Sequence, residues 1–285
     1  MSAAEMKLLT WEASDGYPLL IRRFELSENA RAHVIALHGI QSHSGWYEAS
    51  SLRLAEHGFH VHYMDRRGSG LNMQQRGDTP SGQRLIQDVV EYIREWQTYN
   101  AEPIFLSACS WGGKVATLAA TELPHLAGLI LVAPGFFPKV SVSLGQKMAI
   151  ARSRLFRPTR MFPIPLNDPK LFTNQMDKQN FIAQDPLTLH FATARFFIES
   201  VRLDRQVRKK GFQITMPVLL QLAGHDDIID SERTQHFLDS WITTDRTIKT
   251  YPKGYHTLEF DADPSRFIND QLDWLQSRCV AHTTA

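Results

Sequence analysis

The chain has 285 residues, 43% of them apolar, 21% charged, with a formal net charge of +1. That length can bury one large core or two modest ones, and the near-neutral balance excludes both a nucleic-acid-binding polyelectrolyte and an acidic disordered chain. Two cysteines, Cys109 and Cys279, are too few for a disulfide framework and have no metal-ligand spacing, so a reducing, cytoplasmic setting is expected, with no metal.

In chain order, the first residues carry acids early and have no basic n-region or sustained apolar run, so no secretion signal is expected. No later window reaches the ~18 apolar residues of a membrane span. Segments 7–12 and 19–24 flank a Ser14-Asp15-Gly16 turn and read as an antiparallel hairpin. Short, continuously apolar runs follow at 33–37, 59–64, 103–109, 128–133 and 217–223, the pattern of parallel strands covered on both faces. Between them lie helical patterns, clearest over 82–99, where Leu85, Val89, Ile93 and Trp96 share one face. Alternation of this kind predicts an α/β fold with a mostly parallel, doubly wound sheet.

The alternation stops after Pro134-Gly135 and resumes at Met216-Pro217. We therefore expect a core of residues 1–135 and 213–285, and a helical cap inserted over 136–212, with helices around 145–155 and 186–203. From Lys139 to Lys210 there are fourteen Lys/Arg against five Asp/Glu; the rest of the chain holds seventeen against twenty-five. A charge run is most simply a solvated face. Its functional reading is a field that attracts anionic substrates or a peripheral contact with an anionic surface.

At the end of the 103–109 strand stands Ala108-Cys109-Ser110-Trp111-Gly112-Gly113, followed by a helical pattern. Small residues two before and two after a serine are what a strained strand-to-helix turn requires, and the helix N-terminus then faces the oxyanion that develops on attack. Ser110 is the expected nucleophile. Cys109 would have Ser107 and Trp111 at those crowded positions, so it is expected to pack as a small apolar residue. An aspartate at this turn would have pointed to dehalogenase or epoxide chemistry; a serine does not.

The chain order for such a site is serine, acid, histidine. Downstream of the 217–223 strand lie His236, within a helical pattern, His256, and His282 in the tail. Only His256 follows a last strand, 247–251, in a loop turned by Pro252 and Gly254, so it is the expected base. Asp226, Asp227 and Asp230 compete as the acid after 217–223; Asp227 is preferred over Asp226, against a reading of this loop as helix capping. The oxyanion donors would be the backbone N–H groups of Trp111 and Ile40, and His38 is expected to brace its loop. Phe136, Phe137 and Arg157 in the cap are expected to touch substrate. Arg76-Gly77-Asp78 is read as a turn without adhesive meaning.

Several stretches together resemble the monoacylglycerol lipase and lysophospholipase branch of the α/β-hydrolases. They are His38-Gly39-Ile40-Gln41-Ser42-His43-Ser44-Gly45-Trp46-Tyr47-Glu48, Asp65-Arg66-Arg67-Gly68-Ser69-Gly70, Gly224 to Asp227 matching G-x-x-D, and Tyr255-His256. The resemblance implies an α/β-hydrolase fold and ester hydrolysis of lipid-like substrates without a cofactor. It also implies a Ser110, Asp227, His256 triad and Ile40 and Trp111 as donors. Ala108 in place of the first elbow glycine, Cys109 in place of a histidine and Asn72 in place of a serine depart from the pattern. Acyl transfer to an alcohol or thiol, thioester cleavage, and ligand binding on a degenerate scaffold are the rival functions.

Overall fold

A computed structural model describes residues 4–26 and 29–279; His282 lies outside them. The elements run β1 (Glu5–Glu12), β2 (Pro18–Glu25), β3 (Ala32–Leu37), α1 (Glu48–Glu56), β4 (Phe59–Met64), α2 (Gly82–Tyr99), β5 (Ile104–Cys109), α3 (Gly112–Ala120) and β6 (Gly128–Val132). They continue with α4 (Leu144–Phe156), β7 (Met161–Pro163), α5 (Met176–Gln184), β8 (Phe191–Thr193), α6 (Ala194–Lys210), β9 (Val218–His225), α7 (Ser231–Asp239), β10 (Arg246–Tyr255) and α8 (Ser265–Cys279).

Eight strands form one sheet in the order β1-β2-β4-β3-β5-β6-β9-β10. The β1–β2 and β2–β4 pairs are antiparallel and every other pair is parallel, which makes the expected opening hairpin and the expected parallel sheet. All residues of β3, β4 and β6 are buried, because helices cover both faces there. The helix α2 starts where predicted: Ser81 accepts the N–H of Arg84, and Leu85, Val89 and Ile93 go into the core.

Between β6 and β9 the chain leaves the sheet and lies over its carboxyl edge as α4, α5, α6 and the small antiparallel pair β7–β8. The helix expected over 186–203 begins only at Ala194. Residues Phe191–Thr193 are drawn into β8, and the Thr193 hydroxyl then caps α6 by accepting the N–H of Phe196. A local pattern does not reveal a three-residue strand whose partner lies some thirty residues away.

The cap is tied to the core by buried polar contacts. Asp185 accepts from His43 Nε2 at 2.8 Å and Trp46 Nε1 at 2.7 Å, which gives the H-S-x-W stretch a structural task. Asp78 pairs with Arg195 and accepts from Thr193 Oγ1 at 2.6 Å, so the Arg-Gly-Asp turn is a seam between core and cap. Asp65 organises its own loop by accepting the N–H groups of Ser44 at 2.7 Å and Leu71 at 2.9 Å. Gly70, at φ 54°, passes so close that a Cβ would lie 2.3 Å from that carboxylate.

Candidate active site

Ser110 follows β5 directly, at the N-terminus of α3, with φ at 50°. That strained backbone is held by two hydrogen bonds, Ser110 N–H to Val132 and Gly135 N–H to Ser110. Gly112 packs against the neighbouring loop; a Cβ there would lie 2.6 Å from the His38 carbonyl oxygen. The requirement for a small residue two positions after the serine is thus a backbone contact. Ala108, two before, is buried between β3 and β6.

His256 lies just beyond β10 and is 2% exposed. Its Nε2 is 2.9 Å from Ser110 Oγ, and its Nδ1 is 2.8 Å from Asp226 Oδ2. The geometry fits an Nδ1–H donating to Asp226 while Nε2 accepts the serine proton. Asp226, 4% exposed, also accepts the N–H groups of Ile228 and Ile229 at 2.9 Å each. Burial raises the pKa of its carboxyl, but His256 and those two amides outweigh burial and hold it below the ordinary carboxylate range.

The expected acid, Asp227, is not the residue that meets His256. The strand β9 runs two residues past the predicted end, to His225, so Asp226 is the first residue off the sheet and turns inward, while Asp227 points to solvent. Asp230 is a helix cap, accepting from Arg233 N–H at the start of α7. His236 lies in α7.

Ile40 and Trp111 line the cavity that also contains Ser110. His38 is buried. Its Nδ1 donates to the Gly39 carbonyl at 2.7 Å, its Nε2 accepts from Arg66 N–H at 3.1 Å, and burial holds its pKa well below the ordinary histidine value. Arg66, to which the sequence alone assigns no role, binds the Gly39 carbonyl at 2.7 Å and also the Ile40 carbonyl. In a trans peptide the Ile40 N–H points opposite the Gly39 C=O, so Arg66 fixes its direction. The same guanidinium lies over the Trp111 ring, 5.1 Å from its centre. The only hint in the sequence was an arginine inside Asp65-Arg66-Arg67-Gly68.

Cys109 is buried behind the elbow, and burial pushes its pKa up to about 12, so it remains a thiol. The cavity at Ser110 has a volume of about 160 Å³. Val140, Val142, Ile164, Leu166 and Phe197 form an apolar wall; Lys114, Ser200 and Asp204 form a polar end. Three residues expected to touch substrate are elsewhere. Phe136 and Phe137 pack edge-on against Phe237 of α7, Phe136 buried in the core and Phe137 half-buried against it, and Arg157 ends α4 beside an outer depression with Arg152 and Arg160. Aromatic content did not distinguish cap residues that pack from those that line the cavity.

Comparison with known proteins agrees with this architecture. Rat monoglyceride lipase is 25% identical over 273 residues, spanning 93% of this chain and 89% of the lipase. An uncharacterised abhydrolase domain-containing protein of Dictyostelium discoideum is 27% identical over 282 residues; the match covers 98% of this chain and only 29% of that larger protein. Among solved structures, Paleococcus ferrophilus monoacylglycerol lipase superposes with a TM-score of 0.81 over 96% of this chain and 99% of its own, at 22% identity. Residues 28–263 match the model of the Hydrolase_4 family (serine aminopeptidase, S33), and the chain belongs to that family, as an α/β-hydrolase of the monoacylglycerol lipase-like branch.

Proposed function

We propose that the protein is a carboxylic ester hydrolase that works through an acyl-enzyme on Ser110, with His256 as base and Asp226 as the residue that orients it. The observation that carries this reading is the unbroken relay from Ser110 Oγ to His256 Nε2, at 2.9 Å, and from His256 Nδ1 to Asp226 Oδ2, at 2.8 Å, beside a cavity open to solvent. In the cycle, His256 takes the proton of Ser110 as Oγ attacks the ester carbonyl. Asp226 stabilises the imidazolium, and the N–H groups of Ile40 and Trp111 receive the oxyanion. His256 returns the proton to the leaving alcohol. Water, activated by the same base, then releases the acid. The similarity to monoglyceride lipases favours a monoacylglycerol- or lysophospholipid-like ester over a peptide. Acyl transfer to an alcohol or thiol rather than to water would use the same intermediate.

The test is release of p-nitrophenol from a series of acyl esters. Ser110→Ala should lower kcat by about 10⁴-fold or more, whereas Cys109→Ala should retain turnover. Full activity in Ser110→Ala would sink the proposal.

A further inference from the structure

Lys114 is the one charged residue of α3, a helix whose nine residues are all buried. Nothing in the packing of α3 calls for a charge, since its neighbours in sequence are Gly113 and Val115 and the later positions are alanine, threonine and leucine. Burying an ammonium costs several kcal/mol, and a pair of apolar side chains usually does at least as well for stability as a buried ion pair. Asp204, from α6 of the cap, offsets the cost with Oδ1 at 2.7 Å from Lys114 Nζ. It is the only carboxylate within ion-pair distance of that nitrogen among the described residues.

This pair lines the Ser110 cavity. An ammonium has three N–H groups, and the ion pair with Asp204 engages at most one of them, which leaves at least two for another acceptor. Ser200, beside them, accepts from Trp111 Nε1 at 2.8 Å, a contact that does not use its own hydroxyl proton. This end of the cavity therefore offers several donors and a carboxylate oxygen, with the charges of the lining pair Lys114 and Asp204 cancelling and Arg208 of α6 near enough to act on Lys114. An anion would face Asp204, and a hydrocarbon end would leave the desolvated ammonium without a new partner. The cavity is open to solvent, and its volume, about 160 Å³, is close to that of an engineered cavity that admits benzene (~150 Å³), so its polar end takes a compact group.

We propose that Lys114, Asp204 and Ser200 form a subsite for an uncharged oxygen-bearing group, a hydroxyl, ether or carbonyl, at the non-reacting end of a compact ester held at Ser110. This rests on the reading of Ser110 as nucleophile. The subsite sets specificity, and Trp111 couples it to the reacting centre because one residue follows the nucleophile and holds Ser200.

The experiment compares two pairs of isosteric esters: p-nitrophenyl methoxyacetate with p-nitrophenyl butyrate, and 2-hydroxyethyl butyrate with propyl butyrate. Rates are corrected for the intrinsic reactivity of each ester, and the pairs place the oxygen in the acyl or the alcohol half. The wild type should favour the oxygen-bearing member of at least one pair by about tenfold or more in kcat/KM. The Lys114→Met/Asp204→Leu double variant, which removes both charges together, should bring that ratio to within about twofold, through the KM of the oxygen-bearing ester. Ser200→Ala, which leaves the ion pair in place, should reduce the same ratio and covers the case of a double variant that does not fold. Equal rates within both pairs for an enzyme that a fluorophosphonate labels at Ser110, or a preference that survives in these variants, would overturn the subsite. Absence of labelling together with no turnover of any ester would instead overturn the hydrolase reading on which it stands.

Discussion

Asp226 and Asp227 are adjacent in sequence and opposite in environment. Asp226 faces inward and meets His256 and two backbone amides; Asp227 faces solvent. Asp226→Asn keeps the shape but replaces an ionised acceptor with an amide that destabilises the imidazolium, so kcat should fall by about 10⁴-fold. Asp227→Asn should change kcat/KM by less than about threefold. The comparison is made with one ester at one pH, and the reverse ranking would mean that the loop after β9 is arranged differently. The sequence favours Asp227 and the structure places Asp226 against His256; both residues follow a strand, and the choice depends on where β9 ends and how the loop after it turns. The last two residues of β9, Gly224 and His225, are both exposed, and the chain turns inward only at Asp226, the first residue beyond the strand, where the carboxylate is also held by the Ile228 and Ile229 amides.

At the scale of elements, those whose pattern is local and long were legible. The sheet strands, α2 and the elbow into α3 lie on the apolar runs and small residues that mark them, because burial on both faces or on one stripe leaves a direct trace. The ends of β9 and β10 do not, and β10 runs on to Tyr255 through the expected turn at Pro252 and Gly254 with a register shift after Tyr251. The stretch between β6 and β9, which adds no strand to the main sheet, shows in the sequence as an interruption of the alternation, but β7, β8 and the start of α6 do not, since they are set by contacts such as Thr193 with Gly77 and Asp78. A further element-level consequence comes from the short 3-10 helix Leu258–Phe260 that follows His256. Its Glu259 is buried and accepts the Ser50 N–H of α1 at 2.9 Å; burial pushes its pKa up to about 7 despite that hydrogen bond and the charge of Lys178. Cys109, Tyr47, Tyr63 and Gln271 line the small cavity it shares. A raised acid pKa means the native state holds a proton that the unfolded chain has lost. This contribution to stability is complete below about 4.5, the ordinary glutamate value, and is lost as pH rises through about 7. Its size is on the order of 3 kcal/mol at most. Glu259→Gln keeps an acceptor for Ser50 and removes the titration, so its Tm should fall less than that of the wild type between pH 5 and pH 8. Parallel falls in Tm would show that another group titrates.

For the whole molecule, the near-zero net charge conceals a basic cap on an acidic body, and the structure separates that basic surface from the reacting centre. Arg152, Arg157 and Arg160 border an outer depression that shares no lining residue with the Ser110 cavity. Around them α4 exposes Leu144, Met148, Leu155 and Phe156. Apolar side chains among arginines on one helix suit the surface of an anionic bilayer. Sedimentation with vesicles containing phosphatidylserine should therefore carry the protein down at low salt and release it as salt approaches physiological strength, where screening acts over about 8 Å. Neutralising Arg152, Arg154, Arg157 and Arg160 together should weaken that binding at least tenfold and leave kcat/KM for a soluble neutral ester within about twofold. Loss of neutral-ester hydrolysis would place these arginines in the site after all. One serine of the chain, Ser110, is the nucleophile, and intact-mass and peptide mapping after treatment with a fluorophosphonate tests this. A single adduct per chain should form, located on Ser110 and absent from His256→Ala over the same exposure; an adduct on Cys109 or on another serine, or none at all, would overturn the assignment.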